Sequence, residues 1–217
     1  MKLSIEAYRT QVQRWPRSGQ HILAQFDANS IVIYQAYRPA IGEYAVRHQM
    51  FGGEWSFSRM SWIKTNFLWM MYRSGWGTKS DQELTLAVRI QRAGFDQLLR
   101  DAVHANFVAD RYTTQAAWSN AVAQSSVRLQ WDPDHDPSGA KVERRAIQLG
   151  LRGKALAWYA RDWILDIEDI SLFVAEQRQY AQSKATYAYL QTPCEDVYSV
   201  LDTTTAQRLG LSSGLIR

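Results

Sequence analysis

The longest uninterrupted apolar runs in this chain, Phe67 to Tyr72 among them, are six residues long. A helix needs roughly 20 apolar residues to cross a bilayer, so this chain must build itself from short elements around a core. The opening Met1-Lys2-Leu3-Ser4-Ile5-Glu6 turns polar before an apolar signal core develops, which sets the expectation of a cytoplasmic protein. A single cysteine, Cys194, agrees with a reducing compartment. With 217 residues, 46% hydrophobic and 21% charged, one compact domain over residues 1–217 is expected.

Proline and glycine punctuate the chain. A helix is expected from Ile5 to Trp15, ending at Pro16-Arg17-Ser18-Gly19, so that residues 1–19 form a docking arm. Two β-like runs, His21 to Phe26 and Ile31 to Tyr37, flank a turn-forming Asp27-Ala28-Asn29-Ser30 and suggest a hairpin. Pro39 opens a helix carrying Ile41, Tyr44, Ala45 and His48 on one face. Ser58 to Ser74 reads as a mostly buried helix with Ser61 as N-cap, stopped by Gly75 and Gly77.

Leu84 to Ile90 alternates as a half-buried strand does, and a helix follows from Phe95 to Val103. The polar, alanine-rich stretch 109–126 reads as an insertion or lid with helical character. Val127 to Trp131 and Ala146 to Leu151 read as adjacent strands, whereas Lys154 to Gln182 carries the pattern of one long or two broken helices. Val197, Tyr198 and Leu201 are expected to dock the tail after Pro193. Strands interleaved with helices imply an α+β fold with a mixed or antiparallel sheet of about five or six strands.

Four groups of residues could carry chemistry. Tyr34-Gln35-Ala36-Tyr37-Arg38-Pro39 ends a strand in an arginine suited to phosphate. Ser58 to Lys79 holds Arg59, Lys64, Arg73 and Lys79 together with Trp62, Trp69 and Trp76. Read as one helix, it aligns Arg59, Trp62, Asn66, Trp69 and Arg73 on a face that offers stacking rings beside phosphate donors. Lys64 becomes a candidate nucleophile if burial depresses its pKa. Trp131-Asp132-Pro133-Asp134-His135-Asp136-Pro137 gathers three carboxylates and an imidazole, fitting either a turn or a hard cation, and His135 titrates in the right range for a general base. Asp81-Gln82-Glu83, before a strand, places a carboxylate where it could stabilise an oxocarbenium-like centre. Arg144-Arg145 and the acidic Asp166, Glu168 and Asp169 are accounted for by salt bridges. No G-x-G-x-x-G, G-x-x-x-x-G-K-[ST], H-E-x-x-H, G-x-S-x-G or paired CxxC is present.

The strings Ile33-Tyr34-Gln35-Ala36-Tyr37-Arg38-Pro39, Arg59-Met60-Ser61-Trp62-Ile63-Lys64, Phe67-Leu68-Trp69-Met70-Met71-Tyr72-Arg73-Ser74-Gly75-Trp76, Gln130-Trp131-Asp132-Pro133-Asp134-His135 and Arg145-Ala146-Ile147-Gln148-Leu149-Gly150-Leu151 carry a resemblance. From about Trp15 to Tyr198 the chain resembles the family catalogued as domain of unknown function 4291, a likeness that implies no reaction and no catalytic residue.

The leading functional expectation is an enzyme acting on a nucleotide or nucleic acid. Its coarse element order suggests an ADP-ribosyltransferase-like layout using NAD: a strand bearing Tyr37-Arg38, two helices, then another strand. Arg38 or Arg73 would hold a pyrophosphate, Trp62 or Trp76 would stack on a ring, and Glu83, or its rival Glu168, would stabilise charge at the ribose. His135 and Lys64 complete the candidate catalytic set, and no metal is assigned. The alternative from another class is a non-catalytic nucleic-acid-binding module, which would use the Arg/Trp face and the small basic excess of +4 to bind a single strand. A third is a metal-dependent hydrolase built on Asp132, Asp134 and His135. Neither a membrane nor an oligomeric state is indicated.

Overall fold

In the computed structural model, which describes residues 3–212, the chain is an α+β protein whose main sheet has eight strands. Chain order runs β1 (Ile5–Ala7), α1 (Tyr8–Arg14), β2 (Gly19–Gln20), β3 (Leu23–Ala24), β4 (Ser30–Tyr37), α2 (Pro39–His48), β5 (Ser61–Lys64), α3 (Phe67–Ser74), β6 (Leu84–Gln91), α4 (Arg92–Asp101) and β7 (Ala102–His104). It continues with α5 (Gln115–Gln124), β8 (Val127–His135), β9 (Lys141–Leu151), α6 (Gly153–Ala157), a π-helical turn (Trp158–Asp162), β10 (Ile164–Asp169), α7 (Ser171–Ala181), β11 (Gln191–Pro193), β12 (Asp196–Val197) and α8 (Thr203–Leu209). Residues 1–2 of the expected arm and residues 213–217 lie outside the described residues.

The main sheet has the order β10-β6-β4-β5-β9-β8-β7, with the short β2 running parallel to β9. Two small sheets pair β1 with β11 and β12 with β3, so the strands outnumber the five or six expected. The extra ones are two or three residues long, too short for an alternating pattern to show.

Antiparallel partners share a face, so the register divides the sheet into two sides. Ile31, Ile33, Leu86, Val88, Ile63, Leu149 and Leu129 point into one core, closed by Ala45 of α2 and by Phe95, Leu98 and Leu99 of α4. Val32, Tyr34 and Ala87 face the other side, where Phe67, Leu68 and Met71 of α3 and Val174 of α7 cover them. Each fully buried side chain of this size contributes about 1.5–3 kcal/mol of transfer free energy, so these two layers hold the sheet rigidly.

Five local expectations need correction. Ser58 to Ser74 is not one helix: Ser61 to Lys64 forms β5 against Ser61↔Leu151 to Lys64↔Gln148 of β9, and α3 starts only after Asn66. Asn66, not Ser61, is the N-cap, its side-chain oxygen accepting from the Trp69 N–H at 2.7 Å. Within Lys154 to Gln182 a strand intervenes, because β10 pairs along β6. Ile5–Ala7 is a strand, since β11 returns from the far end of the chain to pair with it. The expected hairpin is reduced to a bridge between Phe26 and Ile31, while β4 takes β6 as its full-length partner. By contrast, the helix opened by Pro39, strand β6, the β8–β9 pair and the αL cap at Gly75 form as expected. Tyr198 docks in the core, whereas Leu201 remains 85% exposed.

Candidate functional site

β4 and β5 are neighbours in the sheet yet share a single register pair, Tyr34 opposite Lys64. Beyond that pair the two strands diverge, and a cleft of about 300 Å³ opens between residues 35–37 of one and residues 59–62 of the other. Met70 and Arg73 of α3 and the Asp81-Gln82 turn complete its wall. The volume lies at the lower end of the range for small-molecule sites.

Lys64 is the buried cation of this cleft, at 7% exposure, whereas Arg59 and Arg73 are exposed. Its register places it in a row with Tyr34, Gln148 and Gln130 across four strands on one face. Gln130 donates to Asp132 Oδ1 at 2.9 Å and Gln148 to Asp132 Oδ2 at 2.5 Å, so both oxygens of that carboxylate are engaged beside the lysine. The Lys64 ammonium has three donors, and one is used, toward the Trp62 carbonyl at 3.5 Å. Burial, reinforced by the Arg73 charge and opposed by Asp132, brings the Lys64 pKa down to about 8.

Four ion pairs occur among the described residues: Arg14 with Glu6 and with Asp196, Arg38 with Glu54, and Arg144 with Asp134. Arg59, Lys64 and Arg73 belong to none of them. All three line the one cleft, with Asp81 as its carboxylate. Trp62 stands directly opposite Gly150 on β9, and its ring lies over that glycine: a Cβ there would come within 3.0 Å of the indole and 2.6 Å of Met60 Sδ. Glycine at this position therefore lets the indole lie close to the sheet.

The remaining sequence candidates fall elsewhere. Tyr37 borders the cleft, but its hydroxyl accepts from the Trp55 indole at 3.0 Å and its ring meets Phe51 edge-on in the core. Arg38 is the exposed residue before α2 and pairs with Glu54 at 2.5 Å. Trp76 is core, its Nε1 donating to the Pro137 carbonyl and its ring edge-on to Phe67. Glu83 is exposed and accepts from the Asp81 N–H, outside the cleft lining. Glu168 sits on β10 at the far side of β6.

His135 is buried and stacks on Tyr72 at 3.6 Å between centroids, with Trp69 at 5.1 Å. Neither of its ring nitrogens has a hydrogen-bond partner among the described residues, and burial lowers its pKa. Asp132, Asp134 and His135 turn to separate partners: Asp134 is held by Arg144, whose Nε and Nη2 approach it at 2.8 and 2.5 Å. No group of three or more His, Cys, Asp or Glu side chains suited to a metal occurs among the described residues.

Gln148 and Gly150, whose importance comes only from register, are not among the sequence candidates, and neither is Glu195. That carboxyl is buried at 1% exposure, accepts from the Phe67 N–H at 2.6 Å and from Asn66, and is pushed well above the usual carboxylate range by desolvation. It lies in a tail without apolar periodicity, so no sequence signal marks it.

The family model described as Domain of unknown function (DUF4291) matches residues 21–198, a span that includes β4, β5, α3 and β9 and hence the entire cleft. The chain belongs to the DUF4291 family. No curated protein matches it. In this DUF4291 chain, the segment that aligns Arg59, Trp62 and Arg73 does so as strand, turn and helix, not as one helical face. No helix among the described residues is long and apolar enough to cross a membrane.

Proposed function

We propose that this DUF4291 protein is an enzyme acting on a nucleotide unit, either free or within a nucleic-acid strand, bound where β4 and β5 part. The observation that carries this reading is the convergence of Arg59, Lys64 and Arg73, none of them ion-paired among the described residues, on one cleft beside Trp62. Uncompensated cations in a concave site favour an anionic ligand, and arginine forks suit phosphate oxygens. An indole held flat offers a stacking surface for a base. A near-neutral lysine in the same wall adds a group able to exchange protons or attack an electrophile at physiological pH. NAD⁺ is one phosphorylated ligand within this reading, with Arg59 and Arg73, rather than Arg38, as its phosphate contacts.

A thermal-shift screen against AMP, NAD⁺ and short single-stranded DNA and RNA tests it. A ligand at 100 times its Kd adds about 2.7 kcal/mol. For a chain of this size that raises Tm by roughly 5–11 °C. Stabilisation by a nucleotide, lost in Arg59→Ala/Arg73→Ala, supports the proposal. A response to oligonucleotides that survives this double substitution favours a binding surface elsewhere, and no response to any ligand overturns the proposal.

A further inference from the structure

We infer that Lys64 acts as a covalent catalyst, its Nζ forming an imine with the C1′ aldehyde of a phosphorylated pentose unit held in the cleft. Imine chemistry here presupposes that the cleft binds a nucleotide unit, as proposed above, and adds a class of substrate: a pentose phosphate, free or left in a strand by loss of its base, whose C1′ is free to open as an aldehyde.

The placement of the amine points to this role. A lysine buried for structure alone is expected to spend its donors on good acceptors or a carboxylate. Lys64 instead has one long contact, to the Trp62 carbonyl, and borders open space. The nearby carboxylate, Asp132, is committed to Gln130 and Gln148. Phosphate binding does not require Lys64, because Arg59 and Arg73 flank the same space and guanidinium forks match phosphate oxygens. What the site lacks without Lys64 is a nucleophile, and a desolvated lysine beside another cation is the environment that keeps an amine neutral. Trp62, laid over Gly150, would cover one side of the sugar.

The step balances simply. The neutral Nζ adds its lone pair to the C1′ carbonyl carbon, and the carbonyl oxygen takes one proton from that nitrogen and one from solvent. The oxygen then leaves as water and a protonated C=N bond remains, to be reversed by water at the end of a cycle. Arg73 from α3 and Asp132 from β8 act on the charge of Lys64, Arg59 from the segment before β5 and Asp81 from the turn before β6 line the same cleft, and the uncharged Tyr34 stands opposite on β4.

The test is borohydride trapping of the wild-type chain with ribose 5-phosphate, followed by peptide mapping, with AMP stabilisation measured in parallel. The expected result is a reduced pentose-phosphate adduct at Lys64 in preference to the exposed Lys79 and Lys154. Its rate levels off above about pH 8, where Lys64 is already mostly neutral. It falls about tenfold in Arg73→Ala, as expected for one lost charge-assisted contact, and similarly with ribose lacking the phosphate. Because the mapping uses the wild-type chain, it does not depend on a variant folding. Adducts only on exposed lysines, or none, while AMP still stabilises the protein, overturn the imine and leave nucleotide binding standing. Absence of both adduct and AMP stabilisation removes both.

Discussion

Replacing Arg144 by Met is expected to loosen the N-terminal arm and lower stability sharply. Asp134 and Arg144 are 1% and 7% exposed at their side chains, and Arg144 reaches Asp134 through two nitrogens at 2.8 and 2.5 Å. Its third nitrogen donates to the Pro16 carbonyl at 2.6 Å, and its guanidinium lies over Trp15 at 5.3 Å, so one side chain ties β9 to the end of α1. Without it, the Asp134 carboxylate stays buried with a single remaining donor, the His135 N–H. Stranding one partner of a buried pair costs about 3–5 kcal/mol. At 2–4 °C per kcal/mol for a chain of this length, Tm falls by about 6–20 °C. The Asp134→Leu/Arg144→Met pair should recover most of the loss, since the penalty arises from the uncompensated charge. The assay is a double-mutant cycle by urea denaturation, with limited proteolysis reporting on the arm. A loss below about 1 kcal/mol for Arg144→Met, or strict additivity in the cycle, would show that Arg144 does not offset the buried Asp134 charge.

Other expectations are simpler to check. Glu195 has a raised pKa in the folded chain, so the native state keeps a proton that the unfolded chain releases, and stability falls as pH rises above the ordinary carboxylate value of about 4.3. Glu195→Gln should therefore gain stability relative to wild type as pH rises, and parallel pH–stability curves would contradict the assignment. Gly150→Ala should lift Trp62 off the sheet and weaken AMP binding in a titration followed by indole fluorescence; unchanged affinity would exclude the indole from the site. Arg38→Ala should leave AMP and NAD⁺ binding intact and change stability by less than about 1 kcal/mol, because the Arg38–Glu54 pair is exposed. Loss of NAD⁺ binding in that variant would move the site away from the cleft.

The α+β class, the helix after Pro39, β6 and the adjacency of β8 and β9 were legible because each carries a local signal: fixed proline φ, alternation, or a turn between two apolar runs. The segment around the cleft was not. Met60, Ile63, Phe67, Met70 and Met71 fit a helical period, yet Ser61 to Lys64 is drawn into a strand by β9, a partner about 85 residues away whose pull no local window registers. Asn66, a favourable cap inside that stretch, was the available mark of the true helix start. Ile164 to Asp169 was hidden in the same way, an edge strand set by β6 inside an amphipathic pattern.

The candidate site shows the same division. The dense group of arginine, lysine and tryptophan between residues 58 and 79 was visible in composition, and Arg59, Trp62, Lys64 and Arg73 do meet in space. How they meet depends on the parting of β4 and β5 after one register pair, and on Gly150 beneath Trp62, both of them non-local. Arg38, Glu83 and His135 were attractive by residue type, but the fold turns each of them to other partners.

The most direct test of the cleft as a nucleotide site is calorimetric titration of AMP into the wild-type protein and into Arg59→Ala/Arg73→Ala. Saturable binding that weakens at least about a hundredfold in the double variant, with its fold retained by circular dichroism, is the predicted result for two lost charge-assisted contacts. Equal affinity in the two proteins, or no binding to the wild type, would contradict it.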